Sequence, residues 1–507
     1  MATAAGATHT PRGGRPSSAL GPALALGAVA AGLLVGNAVL TGHTGNALKL
    51  GLFALPILLW KRPQLGPVVV VAAALTVEQF PYLVGTRNGA ATDRIPLFMG
   101  LGKGAHVTPA DLLLLMLLVI WLLKRGTSAT RPLPRSPVRT AIVAVLVAVA
   151  VGVAVGLAHH GSLRIALMEV RPYVYLATTF LLASVLLTTH AAMRALLWTF
   201  VLCSGFKAAQ GLVIFMSARH LDPRPEAVLG HEEAFFFGLF VFLTLGLWLF
   251  QIKGALRTTA TALLPIVIAG DLVNSRRTAW LILAVGIVAL VAIGFACLPS
   301  RRSFLKRLVV VLALVTAVYL PAYWNHTGGL AGPAEAIHSF IKADPRDAAS
   351  DLYRVQEDAN LKLNIREGAP FGKGFGVPID YALPIVNIST IDPLIAYIPH
   401  NGVLYVFMRM GVLGAVAFWS LLGAGIVGGC RLARCRDREL ALIGALLVCG
   451  LLAYAVEGYN DQGFFFYRIA FVVGTLLGLG EAARRLCAST IDDQEPRAIP
   501  PATTETP

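Results

Sequence analysis

In Pro399-His400-Asn401-Gly402-Val403-Leu404-Tyr405-Val406-Phe407-Met408-Arg409-Met410-Gly411-Val412-Leu413-Gly414 a long polar stretch stops and an apolar helix begins. The polar stretch starts near Trp324 and is rich in Arg, Asp and Pro. On either side of it the chain is a succession of apolar runs of roughly 17 to 25 residues, each long enough to cross a hydrocarbon core of about 30 Å as a helix. With 507 residues, 56% of them hydrophobic and only 14% charged, and a mean hydropathy of +0.71, a soluble globular class is excluded, since such domains carry about 25% charge. The reading is an all-α integral membrane protein whose core is the helix bundle itself.

The spacing predicts about fourteen spans, at 19-40, 45-60, 65-84, 108-124, 139-158, 170-188, 194-216, 232-252, 258-273, 278-298, 308-324, 400-429, 439-456 and 464-483. Residues 1-18 form an N-terminal tail, 19-324 the first eleven helices, 325-399 one large extracytoplasmic loop, 400-483 the last three helices and 484-507 a disordered tail rich in Pro and Thr. The run after Ser18 is longer than a signal-peptide core and reads as a retained first helix.

The formal charge of +15 does not point to nucleic acid. Its cations sit mainly in alternate short connectors: Lys61-Arg62, Lys124 to Arg139, His190 to Arg194, Lys253 to Arg257, Arg301 to Arg307 and Arg431 to Arg438. All of these fall on one side, which the positive-inside rule makes cytoplasmic, as it does both termini. Six cysteines lie in apolar runs or on that side and suggest neither a disulfide nor a metal framework. The expected setting is a multi-pass membrane protein with the lipid bilayer as its partner.

Cations on the opposite side need a reason, because the topology rule disfavours them there. They are Arg87, Arg94, Lys103, Arg164, Arg171, Arg219, Arg224, Arg276, Arg277 and Arg468. The plain account is a loop cation or a snorkelling side chain. It suits Arg276-Arg277 least, since their connector is a few residues long and holds both charges at the membrane surface. Asp271, Glu232 and Glu233 offer partners within a paired network.

Within the polar stretch, Pro333 to Lys342 predicts a short helix, Pro333 suiting its first turn. A second helix spans Asp347 to Glu367, with Leu352, Val355, Ala359, Leu363 and Ile365 at near-helical spacing and Arg354, Glu357, Asp358, Lys362 and Arg366 as its polar face. Gly368 and Pro370 stop it. Pro370-Phe371-Gly372-Lys373-Gly374-Phe375-Gly376 has glycines at alternate positions, allowing backbone to approach a ligand or another helix closely. It lacks the strand and Lys-Ser/Thr context of a nucleotide loop, and no cofactor is implied. His400, at the mouth of the span that follows, is either a base for a sugar hydroxyl or an interfacial histidine that caps the helix.

The order of these features resembles the O-antigen ligase and O-antigen polymerase superfamily of membrane glycosyltransferases. The matching elements are Asn274-Ser275-Arg276-Arg277-Thr278-Ala279-Trp280 before an apolar helix, a large outer loop with Arg354, the Gly-rich segment 370-376, and Pro399-His400-Asn401 with Leu404, Gly411 and Gly414 behind it. The resemblance covers about Arg171 to Gly414. It implies a GT-C-like bundle that transfers glycan, without a metal, from a polyprenyl-diphosphate-linked donor to an acceptor hydroxyl, the acceptor being a glycan or another lipid-linked unit. It implies that Arg276 or Arg277 holds the diphosphate, that Arg171 joins them, and that His400 is the base or orients the acceptor. Fourteen spans exceed the twelve or so usual for the ligases. Arg409, roughly 13 Å along the helix from His400 at 1.5 Å per residue, is a further substrate-binding candidate that would reach a phosphate or pair with Glu457 or Asp461. The competing reading is a flippase of lipid-linked glycans, which would place ionisable residues near mid-membrane in two related halves. No such repeat is evident. A structural scaffold gives no reason for Arg276-Arg277.

Overall fold

The computed structural model describes residues 55–79, 92, 95–100, 107–126, 135–221, 227–326, 329–342, 345–389 and 394–492. Among these the regular structure is helical throughout. The helices are α1 (Leu55–Lys61), α2 (Gly66–Thr76), α3 (Pro109–Gly126), α4 (Pro137–Ala158), α5 (Leu163–Leu186), α6 (His190–Ala218), α7 (Glu232–Leu249) and α8 (Ala255–Asn274), followed by α9 (Arg277–Cys297), α10 (Arg302–Tyr323), α11 (Gly332–Ile341), α12 (Pro345–Glu367), α13 (Gly402–Leu432), α14 (Arg438–Asn460) and α15 (Tyr467–Asp492). Nine of the described helices are long and apolar enough to cross a membrane, or ten if a bent pair counts as one span. The predicted span 19-40 and most of 45-60 lie outside the described residues, as do Arg87, Arg94, Lys103 and Arg224.

The bent pair departs from the two straight spans expected at 45-60 and 65-84. The chain turns through 118° between α1 and the helix that follows. Pro63 has no N–H to continue α1 and forces Arg62 out of the helical region, to φ −134° and ψ 73°. At the other end of the chain α15 runs to Asp492, past the expected boundary at 483. Glu481 and Arg484 pair at 2.7 Å and Arg485 donates to the Ser184 carbonyl, which carries the helix on. Cys435 and Cys487 form a disulfide that the composition gives no reason to expect.

Small residues bring the central helices together. A Cβ on Gly478 would lie 2.5 Å from the Phe180 carbonyl oxygen, so α15 and α5 meet backbone to backbone, as membrane helices do where glycine recurs every four residues.

The polar stretch forms α11, α12 and an extended return, and here the amphipathic pattern is inverted. Leu352 and Val355, expected to face inward, are 58% and 66% exposed, while Glu357, Asn360 and Asn364 are fully buried. What lies beneath α12 is the backbone of residues 380–383, which needs hydrogen bonds more than apolar cover. Asn360 donates to the Leu383 carbonyl at 2.9 Å and accepts from its N–H at 2.8 Å. Asn364 does the same for Asp380, at 2.8 and 3.0 Å. Two amides one helical turn apart thus pair an extended chain to a helix.

The Gly-rich segment approaches other helices. α13 is broken at Gly411, whose φ of +65° ends the regular ladder. Met408 would ordinarily receive the Val412 N–H; instead its carbonyl accepts from Lys373 N at 2.6 Å, and Val412 N donates to the Pro370 carbonyl at 3.1 Å. The inserted loop supplies a partner to both groups of the bond that the break loses. On its other side Phe375 N donates to the Gly152 carbonyl of α4 at 3.0 Å. Gly374, at φ +82°, faces Gly156, and any Cβ there would sit 2.8 Å from the Gly152 oxygen.

Candidate active site at the loop end of the bundle

The α8–α9 hairpin is tight because Ser275 adopts a left-handed conformation, φ +52° and ψ 35°. Asn274, fully buried, accepts from Leu229 N at 2.9 Å and donates to the Gly230 carbonyl at 3.1 Å. Arg276 reaches the Leu229 carbonyl at 3.5 Å, and its buried Nε has no hydrogen-bond partner. This hairpin therefore fixes the turn that delivers His231. Arg277 points the other way. Its guanidinium meets Asp351 Oδ1 and Ser339 Oγ, each at 3.4 Å, and ties α12 and α11 to the hairpin. Two neighbouring arginines thus do different work. Neither takes its partner from Asp271, whose Oδ1 is buried without a hydrogen bond. Glu233 and Glu232 serve Arg468 instead, at 2.5 and 3.8 Å.

His231 Nδ1 lies 2.5 Å from Asp461 Oδ2. The other Asp461 oxygen accepts from Gln462 N at 2.8 Å, and the Gln462 side chain donates to the Ile398 carbonyl at 3.3 Å, two residues before His400. Burial alone would raise the Asp461 carboxyl, but the charge and hydrogen bond of His231, with the charge of His400, hold it well below the usual carboxylate range.

His400 is held from α12. Its main-chain N–H donates to Glu357 Oε2 at 3.0 Å, its Nδ1 lies 3.2 Å from Glu357 Oε1, and the Tyr353 ring packs edge-on at 5.6 Å. Burial would lower the imidazole pKa, yet the hydrogen bond and charge of Glu357, joined by the charge of Asp461, carry it above the ordinary histidine value. His400 does not cap α13. Asn401 does, accepting from Val403 N and Leu404 N at 3.1 Å each while its amide donates to Asp358 at 3.1 Å.

Glu457, near the end of α14, joins the two halves. It is buried with Oε2 lacking a hydrogen-bond partner, and the charges of Asp461, Glu232, Arg276 and Arg354 all act on it. Arg354 also acts on His400 and Asp358. Arg276 from the α8–α9 hairpin and Arg354 from α12 are thus both within electrostatic reach of Glu457, and His400 before α13 is within that of the neighbouring Asp461. Among the described residues neither Arg276 nor Arg354 makes an ion pair closer than 4.0 Å, and both keep donors for a ligand anion.

The other two arginines belong elsewhere. Arg171 pairs with Asp111 at 3.4 Å and lies over the Tyr467 ring at 5.6 Å, with Tyr175 closing the group by donating to Asp111 at 2.7 Å. Arg409, fully buried, pairs with Glu169 at 2.8 Å and not with Glu457 or Asp461. Its remaining bonds go to the carbonyls of Gly374, Val377 and Tyr397 at 2.9, 2.6 and 2.7 Å. It pins the Gly-rich loop and the irregular segment leading to His400.

Sequence reasoning passes over His231 and Glu357 as site residues and weighs Asp461 and Glu457 only as partners for Arg409. Glu357 carries a legible signal, lying one turn from Arg354 on the polar face of a helix. His231 carries none. No described protein family and no curated protein matches this chain.

Proposed function

We propose that the protein is a membrane glycosyltransferase of the O-antigen ligase and polymerase kind, with a GT-C-like bundle, acting at the outer face of a bacterial plasma membrane. Its donor is a glycan linked to a polyprenyl diphosphate and its acceptor a sugar hydroxyl. What supports this is that Arg276 and Arg354 both lie within electrostatic reach of Glu457, and Arg354 and Asp461 within that of His400. Two guanidiniums with free donors suit the four-oxygen edge of a diphosphate, where they offset the charge that grows as it leaves. A histidine within the same cluster suits proton abstraction from a hydroxyl.

In this reading the acceptor O–H gives its proton to His400 Nε2, the oxygen bonds to the anomeric carbon, and the bond from that carbon to the diphosphate oxygen breaks. The polyprenyl diphosphate leaves with the bonding electron pair, on Arg276 and Arg354. Arg277 holds the loop helices over the site, and Arg171 and Arg409 brace the bundle. The test is glycan transfer in membranes carrying His400→Ala or Arg276→Ala protein. Loss of about 10²-fold or more is expected for His400→Ala, with unchanged amounts of folded protein. A fully active His400→Ala enzyme sinks the assignment.

A further inference from the structure

We propose that Glu357 is the positioning residue of the site: it grips His400 by ring and main chain together and so presents Nε2 to the acceptor hydroxyl. This deepens the glycosyltransferase reading and rests on it. The two Glu357 oxygens are divided between the two N–H groups of one residue, Oε2 on the His400 main chain at 3.0 Å and Oε1 on Nδ1 at 3.2 Å. An ionised carboxylate only accepts, so the ring nitrogen facing it carries the hydrogen, and in the neutral ring the lone pair is left on Nε2. The main-chain bond fixes where the side chain starts and the ring bond fixes its rotation.

Among the described residues the side chain of Glu357 hydrogen-bonds His400 alone. It is fully buried, and among the described residues it makes no ion pair with Lys or Arg. It reaches His400 because the side of α12 turned inward carries Glu357, Asn360 and Asn364, while Leu352 and Val355 are left exposed. The adjacent Asp358 takes Asn401, so consecutive acids on α12 hold consecutive residues at the mouth of α13. The charged and titratable groups acting on His400 are Glu357, Tyr353 and Arg354 from α12 and Asp461 after α14. Of these Glu357 alone bonds the ring.

The test compares wild type, Glu357→Gln, Glu357→Asp and His400→Ala in transfer from a defined polyprenyl-diphosphate oligosaccharide across roughly pH 5 to 9. Glutamine keeps the volume but offers one acceptor oxygen for two N–H groups. The expected result for Glu357→Gln is a fall of about 10- to 100-fold in kcat, an acid-side midpoint of kcat/KM moved to lower pH, and a donor KM within about twofold of wild type. Glu357→Asp keeps the charge and retains the wild-type midpoint at reduced rate, which covers the case in which glutamine impairs folding. A wild-type midpoint and kcat in Glu357→Gln, or a change confined to donor KM, overturns the proposal and leaves the function standing. Absence of transfer by wild type refutes the function instead. Histidine nitrogen NMR, with His400→Ala assigning the signal, then decides for Glu357: loss of the Nδ1–H tautomer in Glu357→Gln supports it, and an unchanged tautomer overturns it.

Discussion

Arg409→Met separates bracing from substrate binding. The guanidinium is fully buried and its bonds run to Glu169 and to three carbonyls of the segment that leads to His400. Methionine fills much of the space and offers no donor. Glu169 would keep Tyr405 Oη at 2.8 Å and Gly376 N at 2.5 Å, but its charge would stand alone in a fully buried site. Removing one partner of such a pair costs about 3 to 5 kcal/mol. Glu169→Gln in the same chain removes the stranded charge while the carbonyls remain unpaired, so the double variant should recover about half the loss. The coupling between the two positions is that recovered amount plus the cost of Glu169→Gln by itself, and so is at least about 2 kcal/mol. The assay is a double-mutant cycle on unfolding of the purified protein in mixed micelles with SDS as denaturant. Additive effects, or an Arg409→Met protein within about 1 kcal/mol of wild type, would refute the bracing role and return Arg409 to the substrate.

Gly374→Ala should destabilise the fold by about 1 to 2 kcal/mol for the positive φ alone, and more for the contact with α4, read as a lower unfolding midpoint. Arg276→Ala should abolish transfer with an unchanged midpoint, whereas Arg277→Ala should loosen α11 and α12, at no more than about 1 kcal/mol for a half-exposed pair, and raise protease sensitivity near Asp351. The loop end should lose stability at both pH extremes. The contact of Glu357 with His400, whose pKa is raised, contributes fully below the ordinary histidine value and is lost as pH rises through the raised one. The contact of Asp461, whose pKa is depressed, contributes above the ordinary carboxylate value and is lost as pH falls through the depressed one. Proteolysis of residues 345–389 as a function of pH reads both limbs.

Most helix positions were legible because apolar length alone sets them: α4, α6 to α9, α13 and α14 begin and end close to the apolar runs, whereas α5 and α10 start at Leu163 and Arg302, well before the expected 170 and 308. The bend between α1 and α2 has a local cause in Pro63, which apolar length by itself does not register. α12 was legible as a helix and misread in orientation, since its apolar spacing assumes a greasy surface beneath it and the surface there is open backbone that only Asn360 and Asn364 can satisfy. That inversion also hid Glu357. Arg276 draws notice as a cation in a connector where the positive-inside rule disfavours it, and His400 by its place at the mouth of an apolar helix. Their surroundings were not, because pairings such as Arg409 with Glu169, His231 with Asp461 and Cys435 with Cys487 join distant segments and leave no local pattern.

In the proposed function this cluster moves a glycan between molecules. Purified protein in liposomes, supplied with a defined polyprenyl-diphosphate oligosaccharide, should yield by mass spectrometry either a lengthened lipid-linked glycan or glycan on a new acceptor, together with free polyprenyl diphosphate. Donor that crosses the bilayer with its mass unchanged, or that remains intact where it was added, would contradict the account.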